Sequence, residues 1–71
     1  MKYILQSLDG SIIGYHPNQK MFGHTTINYA KFNERSGWIN IVNLKVARNL
    51  IRLSRKLEYR FINVKIIPYL D

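Results

Sequence analysis

Residues 43–58 read Asn43-Leu44-Lys45-Val46-Ala47-Arg48-Asn49-Leu50-Ile51-Arg52-Leu53-Ser54-Arg55-Lys56-Leu57-Glu58. The stretch holds no Gly or Pro and many good helix formers. Asn43 is a good N-cap, because its side-chain oxygen accepts from the free amides of a first turn. The pattern predicts a helix from Leu44 to about Glu58. On a wheel of about 100° per residue with Leu44 at zero, Lys45, Arg48, Arg52, Arg55 and Lys56 fall between about 20° and 120°. Val46, Ala47, Leu50, Ile51, Leu53 and Leu57 fall between about 180° and 340°. The helix has one face to bury and one unbroken basic face. Glu58 falls on the apolar side. Leu50, Ile51 and Leu57 are expected to be buried and the basic stripe exposed.

The flanks supply what the apolar face packs on. Lys2 to Leu8 reads as a strand, rich in Tyr, Ile and Leu. Asp9-Gly10 is a two-residue hairpin signal, since a type I′ turn needs positive φ at both positions. Ser11 to Tyr15 is the returning strand. His16-Pro17-Asn18-Gln19-Lys20 breaks the pattern. Thr25 to Phe32 is β-prone, with Ile27 and Tyr29 on one face and Asn28 on the other. Asn33 to Gly37 is a loop. Trp38 to Val42 reads either as a short strand or as the lead-in to the helix. After the helix, Phe61 to Ile66 alternates, with Ile62, Val64 and Ile66 on one side and Asn63 and Lys65 on the other. Pro68 ends it. The order is βββαβ. It predicts an α+β domain: a small antiparallel or mixed sheet of three to four strands with one helix packed on one face.

At 71 residues the chain is a single domain, 1–71. Such a domain buries only about 60% of the surface of its unfolded chain. With no cysteine there is no disulfide framework and no thiolate metal site. Reinforcement is expected from a second copy of the chain or from the ligand, and exposed strand edges give a homodimer a route. Hydrophobic residues at 46% and aromatics at 13% are too many for a disordered basic tail. No apolar run reaches the roughly 18 residues that span a bilayer. Met1-Lys2-Tyr3-Ile4-Leu5-Gln6 does not read as a signal peptide. No membrane association is expected, and an intracellular location is.

The net charge is +7, and it is uneven: residues 1–36 carry +2 and residues 37–71 carry +5. Clustered positive charge is the electrostatic footprint of a nucleic-acid binder. Arginine suits that role, because its planar fork meets phosphate with two donors at once. Lys45, Arg48, Arg52, Arg55, Lys56 and Arg60 are the candidate phosphate contacts. The first five cover roughly 16 Å of helix, enough for two or three phosphates on one strand or to bridge a groove. Macrodipole complementarity explains Arg55 and Lys56 without any ligand. Trp38 and Tyr59, which flank this helix in sequence, are the candidate base-stacking residues.

The usual signs of chemistry do not assemble. His16 and His24 lack a partner at metal-ligand spacing and are read as surface residues of the loop between the second and third strands. Asp9, Glu34, Glu58 and Asp71 form no acid/base pair. There is no Gly-rich phosphate loop and no sign of a Ser–His pairing. The expectation is a protein that is not an enzyme and carries no metal or cofactor.

The overall pattern resembles the small accessory and counter-defence proteins encoded by tailed, T-even-like bacteriophages. The likeness rests on the opening Met1-Lys2-Tyr3-Ile4-Leu5, the turn at Asp9-Gly10, the Tyr29-Ala30-Lys31-Phe32 stretch, the single helix and the closing Val64-Lys65-Ile66-Ile67-Pro68. It implies a viral takeover or counter-defence role in the cytoplasm of a bacterial host. It assigns no functional residue. Two readings result. In the first, the chain binds nucleic acid, RNA included, through the helix stripe. In the second, it is an inhibitor or adaptor whose basic face docks on an acidic patch of a host protein. Charge steers both encounters alike.

Overall fold

The computed structural model describes residues 1–57 and 64–70. Four strands, β1 (Lys2–Gln6), β2 (Ile12–His16), β3 (Met21–Thr25) and β4 (Lys65–Tyr69), form one antiparallel sheet in the order β3-β2-β1-β4. A short helix, α1 (Ala30–Asn33), runs into a 3-10 turn at Glu34–Ser36, and a longer helix, α2 (Leu44–Lys56), follows. The α+β class and the βββαβ order of the main elements are those read from the sequence.

Neighbouring residues of a strand point to opposite faces of the sheet. Leu5 and Ile13 lie on one face and pack with Phe22, Val42 and the Ala47 and Leu50 side chains of α2. Ile4 and Ile12 lie on the other and pack with Ala30 of α1. The sheet is thus covered on both faces, by α2 on one and by the α1 segment on the other. That second cover is absent from the sequence reading, which treated residues 25–32 as a strand.

The third strand comes earlier than expected. It spans Met21–Thr25, with Gly14 opposite Gly23 and His16 opposite Met21. The reason lies across the sheet. The Trp38 ring rests over both glycines: a Cβ on Gly23 would stand 2.9 Å from Cη2 of Trp38. Gly23 makes room for an indole and does not end a strand. Residues 27–29 form a turn instead, in which the Thr26 carbonyl accepts from the Tyr29 amide at 3.1 Å.

The first hairpin is present, but its turn is not the two-residue type. Gly10 has φ 89°, whereas Asp9 has no positive φ. The Ser7 carbonyl accepts from the Gly10 amide and the Ser11 carbonyl from the Ser7 amide, both at 3.0 Å. The Asp9 carboxylate folds back to accept from the Ser11 amide (2.9 Å), the Ser11 hydroxyl (2.7 Å) and the Ser7 hydroxyl. A side chain bonding to its own turn replaces the left-handed conformation expected of Asp9.

The ambiguous segment is a wedge. Val42 exchanges both backbone hydrogen bonds with Tyr3, at 2.7 and 2.9 Å, and Ile39 exchanges both with Tyr15, at 2.7 and 3.0 Å. Residues 39–42 therefore sit between the far ends of β1 and β2. Asn40, buried within the wedge, donates from Nδ2 to the Ala30 carbonyl at 2.6 Å and ties it to α1.

Pro68 does not end the last strand. β4 runs to Tyr69, with Pro68 opposite Tyr3. Tyr3 has given its amide and carbonyl to Val42 on its other side, so Tyr3–Pro68 is a non-hydrogen-bonded pair of the antiparallel ladder. The missing proline amide faces the side of β4 that no strand among the described residues covers, where proline is tolerated. Val64 and Ile66 pack on the α2 side, as the alternation predicts. Phe61, Ile62 and Asn63 lie outside the described residues.

Candidate nucleic-acid interface

The stripe is built by α2. Asn43 Oδ1 accepts from the Val46 amide at 2.8 Å, which fixes where the helix starts and therefore its phase. Ala47 and Leu50 are buried against the sheet, and Val46, Ile51 and Leu53 pack around them. That anchoring turns Lys45, Arg48, Arg52, Arg55 and Lys56 outward, and all five are exposed. None of the five has a hydrogen bond or ion pair among the described residues. Arg48 and Arg52, and Arg52 and Lys56, stand four residues apart on one face, a spacing at which like charges repel. The helix carries this repulsion on its sheet packing.

One burial expectation fails. Leu57 is 37% exposed. The helix ends at Lys56, and Leu57 is its C-cap, with its amide donating to the Leu53 carbonyl at 2.9 Å. Ile51 is half-buried, and Leu50 is buried as expected. Arg60 and Tyr59, two of the candidate contacts, lie outside the described residues.

Trp38 does not join the stripe. Gly14 and Gly23, under its ring, belong to the face opposite α2. The ring is half-buried and meets His16 edge-on, with centroids 5.2 Å apart. One side of the ring rests on the two glycines, and the ring also lines a cleft with His24, Thr25, Asn33 and Asn40.

The histidines are strand residues and not loop residues. His16 closes β2 and is buried. Its Nδ1 accepts from the Gln19 amide at 3.3 Å, which leaves Nε2 to donate to the Ser36 carbonyl at 3.0 Å. His24 is exposed on β3, with Nδ1 2.7 Å from the Ser11 hydroxyl. The resulting chain runs Asp9–Ser11–His24. Ser11 donates to Asp9, so its hydroxyl secures the turn instead of being deprotonated by the imidazole as a nucleophile would be. Hydrogen bonds, the largest from the Ser7 hydroxyl, hold the Asp9 carboxyl well below the usual carboxylate range. A cleft of about 170 Å³ lies beside this chain, lined by Gly14, Gly23, His24, Thr25, Asn33, Trp38 and Asn40. Among the described residues no cluster of acidic, His or Cys side chains is placed to hold a metal ion. No helix among them is long and apolar enough to cross a membrane.

The structure also exposes aromatics that the sequence reading assigned to a strand face. Tyr29 is 60% exposed and Phe32 59%, at either end of the first turn of α1. Exposed Lys31 and Arg35 adjoin them, and the Arg35 guanidinium stands 5.9 Å over the Phe32 ring. The i, i+3 spacing of Tyr29 and Phe32 around the small Ala30 was the available signal for a helical turn. The apparent alternation of Ile27 and Tyr29 masked it. Comparison with protein-family models, curated proteins and solved structures found no match.

Proposed function

We propose that this chain is a non-enzymatic nucleic-acid-binding domain that follows a phosphate backbone with the outer face of α2. The observation that supports it is the set of five outward-facing cations on one helix, none of them answered by an acid among the described residues. A folded domain that concentrates repelling charge on a rigid element is stabilised when an anion neutralises it. Phosphates spaced along a strand match that geometry, and arginine meets them with paired donors.

The test is a titration of a labelled oligonucleotide at increasing salt. Neutralising three to five phosphates gives a slope of log K against log salt of roughly −2 to −4.5, with weak dependence on base sequence. Substituting Arg48→Glu, Arg52→Glu and Arg55→Glu together abolishes that binding. A folded parent that binds no oligonucleotide at about 50 mM salt, where phosphate contacts are strongest, overturns the proposal. The basic face then belongs to an acidic protein surface.

A further inference from the structure

We infer that α1 carries a second contact for the same ligand, a stacking platform for unpaired bases made by Tyr29 and Phe32, and that the preferred ligand is therefore single-stranded. This rests on nucleic-acid binding through α2.

Three observations carry it. First, the segment leaves Ile27, Tyr29 and Phe32, which lie within six residues of one another, exposed. The Tyr29 carbonyl accepts from the Asn33 amide at 2.9 Å, so Tyr29 belongs to the helical turn. Residues three apart on such a turn are neighbours on its surface. Ala30 points into the sheet, so both rings project to the outside. Second, the rings sit among charges of the right sign. Lys31 and Arg35 adjoin Phe32, and Arg35 Cζ already stands over its ring. The one acid of the patch, Glu34, turns its carboxylate to the Ile41 amide at 3.3 Å. A base stacks equally on an aromatic ring or on a guanidinium plane, and both surfaces are present. Protein partners also use exposed aromatics, but the flanking cations favour an anionic chain.

The third observation decides between duplex and single strand. α1 and α2 cover opposite faces of one sheet. The domain measures 31 × 25 × 23 Å. Duplex DNA has a persistence length of about 500 Å, so a short duplex seated on α2 cannot turn around so small a body to reach α1. A single strand bends freely and reaches both, with its phosphates on α2 and its bases on Tyr29 and Phe32.

The experiment compares a fluorescein-labelled deoxythymidine oligonucleotide of about twelve nucleotides with a duplex of the same length. Both are titrated with the intact chain and with the Tyr29→Ala, Phe32→Ala double variant. The expected result is that the double variant loses about tenfold or more in single-strand affinity, while its duplex affinity changes by less than about twofold. A companion Tyr29→Phe, Phe32→Tyr variant retains both rings and restores single-strand affinity. Circular dichroism establishes that each variant is folded. Equal single-strand affinity in parent and double variant overturns the platform. So does a parallel loss for both ligands. If the triple glutamate variant of α2 still loses binding in those cases, the α2 reading stands and only the platform falls. A parent that binds neither ligand removes both and assigns the patch to a protein.

Discussion

Tyr3 and Tyr15 share the register of the β1–β2 hairpin, in which Leu5 faces Ile13 and Gln6 faces Ile12, yet they do not bond to each other. Tyr3 bonds to Val42 and Tyr15 to Ile39. The hairpin zips at its turn and is held open at its far end by a segment from the middle of the chain.

Breaking the wedge tests that arrangement. Val42→Pro removes the amide that donates to the Tyr3 carbonyl at 2.9 Å and leaves that carbonyl without its partner. The expected cost is about 1 to 3 kcal/mol more than that of Val42→Ala, which keeps the amide and loses only methyl burial. Urea unfolding of the two variants measures the difference, and equal midpoints would show that the wedge bond contributes nothing.

The glycines under the indole give an optical test. Gly23→Ala brings a Cβ to within 2.9 Å of Trp38 and displaces the ring. Trp38 is the only tryptophan in the chain, so its fluorescence emission reports the displacement directly. Gly14→Ala collides instead with the Asn40 side chain, which is buried and bonded to Ala30. We expect that variant to lose about 2 to 3 kcal/mol, through overpacking and a strained hydrogen bond.

The α2 stripe has a signature in stability as well as in binding. Arg52→Glu places an acid four residues before Lys56 and four after Arg48, turning two repulsions into attractions. The Arg48, Arg52, Arg55 triple glutamate variant keeps a like-charge pair at positions 48 and 52 but gains attractions to Lys45 and Lys56, and is expected to melt close to the parent at low salt. A markedly lower melting temperature would mean that the arginines hold the fold together, and loss of oligonucleotide binding in that variant would lose its meaning.

Asp9 sets the response of the first hairpin to acid. Its carboxyl is held below its unfolded value of about 3.9 by the Ser7 and Ser11 donors. A depressed carboxyl contributes stability that is complete above the unfolded value and is lost as pH falls through the folded one. The melting difference between parent and Asp9→Asn is expected to be constant above about pH 5 and to shrink below about pH 4. A difference that grows in acid contradicts the hydrogen bonds described here.

What the sequence made legible was local. The Asn43 cap and the two faces of α2 follow from one side chain and one period. The basic stripe follows with them, because a helix seated on its apolar face has only one direction left for Arg48 and Arg52. What it concealed depended on partners far along the chain. Residues 21–24 look like loop until Gly23 makes room for Trp38. Pro68 looks like a stop until Val42 has taken the groups of Tyr3. Tyr29 and Phe32 look like strand residues until residues 27–29 turn and Ala30 enters the core.

Pro68 also bears on how copies of the domain can meet. The groups of β4 that face away from β1 are those of Ile66, Pro68 and Leu70, and proline supplies no donor at the middle of that row. A foreign strand laid along β4 finds a gap where its carbonyl needs an amide, and Lys65 adds a charge to be accommodated. Runaway stacking of sheets into fibrils is thereby blocked on one side. Any self-association by strand addition is directed to the outer rim of β3, and assemblies built through that single rim close at two copies.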